Sequence, residues 1–212
     1  MTHVVAIDGP AGAGKSTIAA AVAARLGLER LDTGSMYRAV ALAVLRAGVD
    51  PGDAASVTAI CRRLGMVPGT RFLLDGEDVT EAIRSAEVNA VVSAVAAHPG
   101  VREDLVRRQR EWVDERGGGV VEGRDIGTVV FPDAKPKIYL TASPEERARR
   151  RAVEEGAATA EAVGLQESEL RRRDHLDGTR TNSPLAMADD AHLIDSTGVP
   201  VETLVEEVLA LL

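Results

Sequence analysis

Aromatic residues are scarce in this chain: two Phe, two Tyr and one Trp make up only 2% of its 212 residues. A core of that composition has to be assembled from Val, Leu, Ile and Ala, and no aromatic series exists on which the bases of a nucleic acid could stack. Cysteine is nearly absent too. The lone Cys61 excludes a disulfide framework within the chain, and its helical context (Ala59-Ile60-Cys61-Arg62-Arg63-Leu64) marks it as a small buried hydrophobe. Positive charge is in deficit, with 25 Lys and Arg against 33 Asp and Glu and a net charge of −8, which argues against a nucleic-acid or membrane-surface partner. No apolar run reaches eighteen residues, and the first residues enter a strand pattern without a charged and apolar leader, so a soluble, cytoplasmic protein is expected. The four histidines (His3, His98, His175, His192) are scattered and form no metal-ligand cluster. The Asn-Lys-x-Asp signature by which GTPases read guanine is missing as well.

What is present begins at residue 9. Gly9-Pro10-Ala11-Gly12-Ala13-Gly14-Lys15-Ser16 fits the P-loop pattern, between an apolar strand (4–7) and an alanine-rich helical run (15–26). Its glycines let successive backbone N–H groups turn inward on phosphate oxygens, and the following helix aims its positive end at the same anion. Lys15 is expected on the β- and γ-phosphates, with the Ser16 hydroxyl on Mg²⁺ and Thr17 beside it, so Gly9 to Thr17 form the expected ATP cradle.

Strand-like runs at 4–7, 29–31, 120–122, 137–140 and 192–194 alternate with helical patterns at 15–26, 35–47, 86–97, 101–116, 144–155 and 200–212. This alternation predicts an α/β, three-layer P-loop fold, with a five-stranded parallel sheet and helices on both faces. Ligands of such a sheet bind at the carboxyl ends of its strands. One domain over 1–212 is expected, with two excursions. Around 57–85 a small insertion carries Asp75-Gly76, a tight-hairpin signal, and 147–173 is strongly charged with a small-residue middle (Gly156 to Ala160), which reads as a solvated, mobile helical lid.

The arginines narrow the class. Arg38 sits one turn into a helix after Leu31-Asp32-Thr33-Gly34, Arg124 follows a strand in Gly123-Arg124-Asp125-Ile126-Gly127, and Arg180 ends a loop-like Arg173 to Arg180 segment. Three such arginines suit the bidentate holding of a second phosphate, hence a small-molecule kinase whose acceptor is itself phosphorylated. Trp112 reads as core-facing, and the Arg107-Arg108-x-Arg110 and Arg171-Arg172-Arg173 runs read as mostly solvated faces.

These segments also carry a resemblance. Ile7 to Thr17, Leu31 to Arg38, Arg102 with Arg107 to Arg110, Glu122 to Ala134, Arg173 to Arg180 with Ser183-Pro184-Leu185, and Ile194 to Thr197 run in family order over nearly the whole chain. In them the chain resembles the bacterial cytidylate (CMP/dCMP) kinases of the nucleoside monophosphate kinase superfamily. The resemblance implies transfer of the γ-phosphoryl group of ATP to CMP or dCMP, with ATP and Mg²⁺ required and a monomer acting on free nucleotides. It implies a base pocket of Ser93, Arg102 and Asp125, with Asp177 and Arg173 near the sugar and Thr33 and Tyr37 lining the CMP site. Arg38, Arg124 and Arg180 would hold the CMP phosphate, while Lys15, Arg124, Arg147 and Arg151 would neutralise the transferring group. Glu122 and Thr33 stand where many relatives have Asp and Ser, which keeps the carboxylate and hydroxyl chemistries. Two other readings stay open. A kinase for a hydroxyl metabolite, of the shikimate type, would need an orienting carboxylate such as Asp32 or Asp125. A nucleotide-binding switch without transfer would not need Lys15, Ser16 and the acceptor arginines together.

Overall fold

The computed structural model describes residues 3–157, 159–180 and 183–212. Ala158, in the middle of the expected lid, lies outside the described residues. In chain order the elements are β1 (His3–Asp8), α1 (Lys15–Leu26), β2 (Arg30–Asp32), α2 (Thr33–Arg46), α3 (Ala54–Arg63), β3 (Met66–Val67), β4 (Leu73–Leu74), β5 (Glu77–Asp78), α4 (Ala86–Ala97), α5 (Pro99–Arg116), β6 (Gly118–Glu122), β7 (Lys137–Thr141), α6 (Pro144–Glu154), α7 (Ala160–Gly178), β8 (His192–Asp195) and α8 (Val201–Leu209). The expected parallel sheet is there, with strand order β2-β6-β1-β7-β8. β1 pairs in parallel with β6 (Val5 opposite Val120) and β7 (Ile7 opposite Ile138), and β7 pairs in parallel with β8.

The chain forms two compact units, residues 1–30 with 117–212 and residues 31–116. In the first, β1, β6, β7 and β8 contribute Val5, Ile7, Val120, Ile138, Leu140 and Ile194 to one core with Ile18 and Val22 of α1 and Leu204, Val205 and Val208 of α8. Val5, Ile7, Val22, Val120, Leu140 and Val208 are wholly buried, at roughly 1.5–3 kcal/mol of transfer free energy for each large aliphatic side chain. β-branched strands between the alanine-rich α1 and the Val- and Leu-bearing α8 supply what the missing aromatics do not.

The second unit packs α2, α3, α4 and α5 against one another and carries a three-stranded antiparallel sheet, β3-β4-β5. Asp75 and Gly76 both take left-handed backbone between β4 and β5, as a two-residue hairpin requires and as the Asp-Gly pair foretold. Cys61 is fully buried on α3, where burial first and the neighbouring Asp104 second push its thiol up to about 12. Trp112 is buried as expected, with the Arg116 guanidinium 4.3 Å over its ring.

One detail extends the expected helical context of Cys61, and two depart from expectation. Residues 54–63 form a full helix, started by Asp53, whose carboxylate accepts from the Ala55 and Ser56 N–H groups. Arg108 does not lie on a solvated face: it donates to the Leu64, Cys61 and Arg62 carbonyls and to Asp104, so it satisfies the exposed carbonyls at the end of α3. Residues 173–178 are helical rather than loop-like, because α7 continues until the Thr179 N–H closes on the His175 carbonyl. The small-residue middle of 147–173 separates two helices, α6 and α7, which pack on each other.

Candidate active site

The P-loop follows β1 directly, and its glycines are dictated by space as well as by dihedral angle. Gly9 has φ +145°, and a Cβ there would lie 1.9 Å from the Leu140 carbonyl oxygen of β7; Gly12 has φ +76°, and a Cβ would press on Arg147 of α6 at 3.0 Å. The backbone is thus pinned between a neighbouring strand and the expected lid. Lys15 is buried and donates from Nζ to the carbonyls of Gly9 (2.8 Å) and Pro10 (2.7 Å), folded over the mouth of its own loop.

Ser16 stands at the first turn of α1 and donates to Glu122 Oε2 (2.8 Å) at the end of β6. Arg30 binds the other Glu122 oxygen at 3.1 Å and the Ser16 carbonyl at 3.0 Å. A hydroxyl and a carboxylate held 2.8 Å apart beside a phosphate loop are hard oxygen donors of the kind that Mg²⁺ takes. Glu122 was legible only as a strand-end acid; its partnership with Ser16 comes from the parallel β1–β6 register.

Arg124, two residues past β6, donates from Nη1 to the Gly9 carbonyl (2.8 Å) and from Nε to Asp177 Oδ2 (3.0 Å). Lys15 and Arg124 therefore share one carbonyl oxygen. Asp177, buried on α7, also stands 3.9 Å from the Arg180 guanidinium, and Arg180 Nε donates to the Asp177 carbonyl at 3.2 Å. Two of the expected acceptor arginines thus converge on one carboxylate. One helical turn earlier, Asp174 takes Arg147 at 2.6 Å, and Arg147 also donates to the Ala11 carbonyl of the loop. Arg173 is half-buried on the same helix.

The arginines of the expected lid find different partners. Arg151 is held by Glu154 and Glu155 of its own segment, whereas Arg150, which the sequence did not single out, donates to the Ala13 carbonyl of the loop and to Ser196 after β8. Positions 150 and 151 fall on adjacent helical stripes, so spacing alone could not choose between them.

Asp125 is buried at the head of a wide helical turn over Ile126–Val130, which its carbonyl helps to close. The first N–H groups of that turn, those of Ile126 and Gly127, donate to the two oxygens of Asp8 at 2.8 and 2.7 Å. Desolvation pushes the Asp8 carboxyl up to about 6; the two N–H donors pull it down, Asp125 raises it and Lys15 lowers it.

In the other unit, Asp32 caps α2 through the Ser35 N–H and pairs with Arg38 at 3.0 Å, fixing that guanidinium beside the helix N-terminus. Thr33 is buried in the same first turn. Arg102 of α5 lies buried with its guanidinium 5.4 Å from the Tyr37 ring centre, and Ser93 is buried on α4. Among the described residues no group of three or more His, Cys, Asp and Glu side chains could hold a metal, and no helix is long and apolar enough to cross a membrane.

The loop, the strand order and the placement of the arginines after strand ends define a P-loop α/β protein of the small kinase type. The family model described as cytidylate kinase matches residues 5–212, and the chain belongs to that family. It is 54% identical over 196 residues to a protein of Mycobacterium leprae (strain Br4923) named cytidylate kinase, across 92% of this chain and 88% of that one. A cytidylate kinase of Pelotomaculum thermopropionicum is 52% identical over 215 residues, covering 97% and 94%. Among solved structures, a gluconokinase from Sinorhizobium meliloti 1021 superposes with a TM-score of 0.54 at 14% identity, covering 99% of this chain and 90% of that one, a likeness of fold alone.

Proposed function

We propose that the protein transfers the γ-phosphoryl group of ATP to CMP or dCMP, as a soluble, cytoplasmic monomer that acts on free nucleotides rather than on nucleic acid. The observation that supports this most directly is the shared Gly9 carbonyl. It ties the lysine of the donor loop to an arginine suited to the acceptor phosphate, so that two anionic groups could be gathered side by side.

An acceptor phosphate is already ionised at neutral pH, so no general base has to be found; transfer needs positioning and charge neutralisation. Lys15 serves the donor phosphates. Arg124 and Arg180, oriented by Asp177, and Arg38, oriented by Asp32, serve the acceptor phosphate. Arg147 and Arg150 bring the lid onto the loop through the Ala11 and Ala13 carbonyls, which excludes water from the transferring group. Ser16 and Glu122 would hold Mg²⁺, and that ion, when bound, neutralises charge on the donor phosphates. Asp125, Ser93 and Arg102 are assigned to the base. A carboxylate accepts from the exocyclic amine of cytosine, whereas uracil offers an oxygen there and leaves the acid unpaired. We read residues 57–85 as a small acceptor-side insertion and 147–173 as the lid.

A coupled ADP-release assay against CMP, dCMP, UMP, AMP and shikimate tests the assignment. Fast release with CMP and dCMP is expected; release no faster with CMP than with water as acceptor overturns it, and preference for shikimate would favour the hydroxyl-acceptor reading.

A further inference from the structure

The Asp8 carboxylate is given over to the backbone. It ends β1, is almost fully buried, and spends both oxygens on the Ile126 and Gly127 N–H groups, more than a hundred residues away. The first N–H groups of any helical turn lack partners inside the turn, so a side chain from elsewhere must satisfy them or they remain unpaired. Gly127 is shaped for this approach. A Cβ there would sit 3.5 Å from Asp8 Oδ2 and 3.0 Å from the Lys137 side chain, so the absence of one lets β1 and β7 close on the turn. Just before the same end of the turn stands Arg124, which reaches the Gly9 carbonyl, the next residue after Asp8.

We propose that Asp8 is a positioning residue for acceptor selection: by holding the start of the Ile126–Val130 turn, it fixes the direction in which Asp125 presents its carboxylate to the base. The inference rests on the reading of Arg124 and Asp125 as acceptor contacts. The charged and titratable groups around Asp8 are Asp125 on the turn itself, Lys15 of α1, and Tyr139 and Lys137 of β7, of which Tyr139 lies opposite Asp8 in the strand register. Lys137 directs its ammonium to Asp190, at 2.7 Å, so it does not neutralise Asp8 by an ion pair. An uncharged carboxyl or an amide at position 8 keeps one good acceptor and loses the second, which releases one of the two N–H groups and loosens the turn.

The test is Asp8→Asn, with kcat/KM measured for CMP and UMP and KM measured for ATP, alongside Asp125→Asn. Preference for CMP over UMP is expected to fall about tenfold in Asp8→Asn, a change of one hydrogen bond, with KM for ATP moved less than about twofold. An unchanged CMP/UMP ratio in Asp8→Asn, with the ratio altered in Asp125→Asn, overturns the role of Asp8 and leaves the base assignment standing. A ratio unmoved by Asp125→Asn overturns both, and a rise in KM for ATP alone assigns Asp8 to the donor loop instead. The unmodified protein gives a second measurement should Asp8→Asn fail to fold. Because CMP and UMP carry the same phosphate, its ionisation cancels in their ratio, and that ratio is expected to drop as pH falls through about 6; a flat ratio from pH 8 to 5.5 refutes the proposal. In a folded Asp8→Asn protein the pH dependence is expected to vanish.

Discussion

Replacing Arg124 separates anchoring from base reading. The side chain is only 20% exposed and is held by two contacts, to Asp177 at 3.0 Å and to the Gly9 carbonyl at 2.8 Å, so its guanidinium is oriented before any ligand arrives. Arg124→Ala removes one charge-assisted contact to the acceptor phosphate, worth about 1.5–3 kcal/mol, or a loss of about 10- to 150-fold in kcat/KM. The same substitution strips Asp177 of its nearest cation. Arg180 remains 3.9 Å away, so the destabilisation should stay below the 3–5 kcal/mol typical of a fully orphaned buried charge, at about 1–3 kcal/mol. Arg124→Lys keeps the charge but cannot satisfy both partners with one planar fork, and should fall between wild type and Ala. The assay is ADP release at saturating ATP with CMP and UMP varied, the KM for ATP, and a thermal melt of each variant. Equal proportional losses for CMP and UMP are expected, since a phosphate contact carries no information about the base. A loss confined to CMP would move Arg124 into the base pocket, and a rise in KM for ATP with unchanged CMP constants would show that its bond to Gly9 serves the donor loop instead.

Lys15→Met should leave the melt near that of wild type while turnover falls on the order of a thousandfold, as for loss of a cationic finger at a transferring phosphoryl group; near-normal turnover would remove Lys15 from catalysis. Asp125→Asn should lower kcat/KM for CMP and lower it much less, or raise it, for UMP, because an amide can turn to donate or accept; equal losses would show that Asp125 only shapes its turn. Arg108→Ala should cost about 2 kcal/mol of stability, read as a lower denaturant midpoint with little change in KM, because three carbonyls at the end of α3 and the buried Asp104 lose a donor together. The folded protein raises the Asp8 carboxyl from 3.8 to about 6 and so takes up that proton before the unfolded chain does; stability from this group rises by about 1 kcal/mol as pH falls from 7 to 5, toward a limit of about 3 kcal/mol below pH 3.8. The acids held below their usual range, such as Glu146, stay ionised over that window, so wild type should gain melting temperature relative to Asp8→Asn as pH falls from 7 to 5; a difference that does not change with pH would refute the shift.

What could be read from the sequence was what is local. The P-loop, its flanking strand and helix, and the Asp-Gly hairpin each depend on residues within a few positions of one another, and all three form where the pattern put them. The acceptor arginines stood out because arginines after strand ends are few in an acidic chain. Their partners did not stand out. Asp177 orients Arg124 across 53 residues, Glu122 meets Ser16 across 106, and Asp8 meets the Ile126 turn across 118. None of these pairs has a spacing rule, because strand order, and not distance along the chain, decides which strand ends become neighbours. Arg150 and Arg151 show the same limit on a finer scale. Both lie about one helical turn from Arg147, and Ser196, brought by β8, joins the Ala13 carbonyl in giving Arg150 its place against the loop. The buried carboxylates expose a bias in reading outward from a motif. A residue before a glycine-rich loop reads as the end of a strand, yet the Asp8 side chain also satisfies two backbone donors of a distant turn. A charge kept in so dry a place, at the cost of a raised pKa, is expected where the turn that it holds must not move.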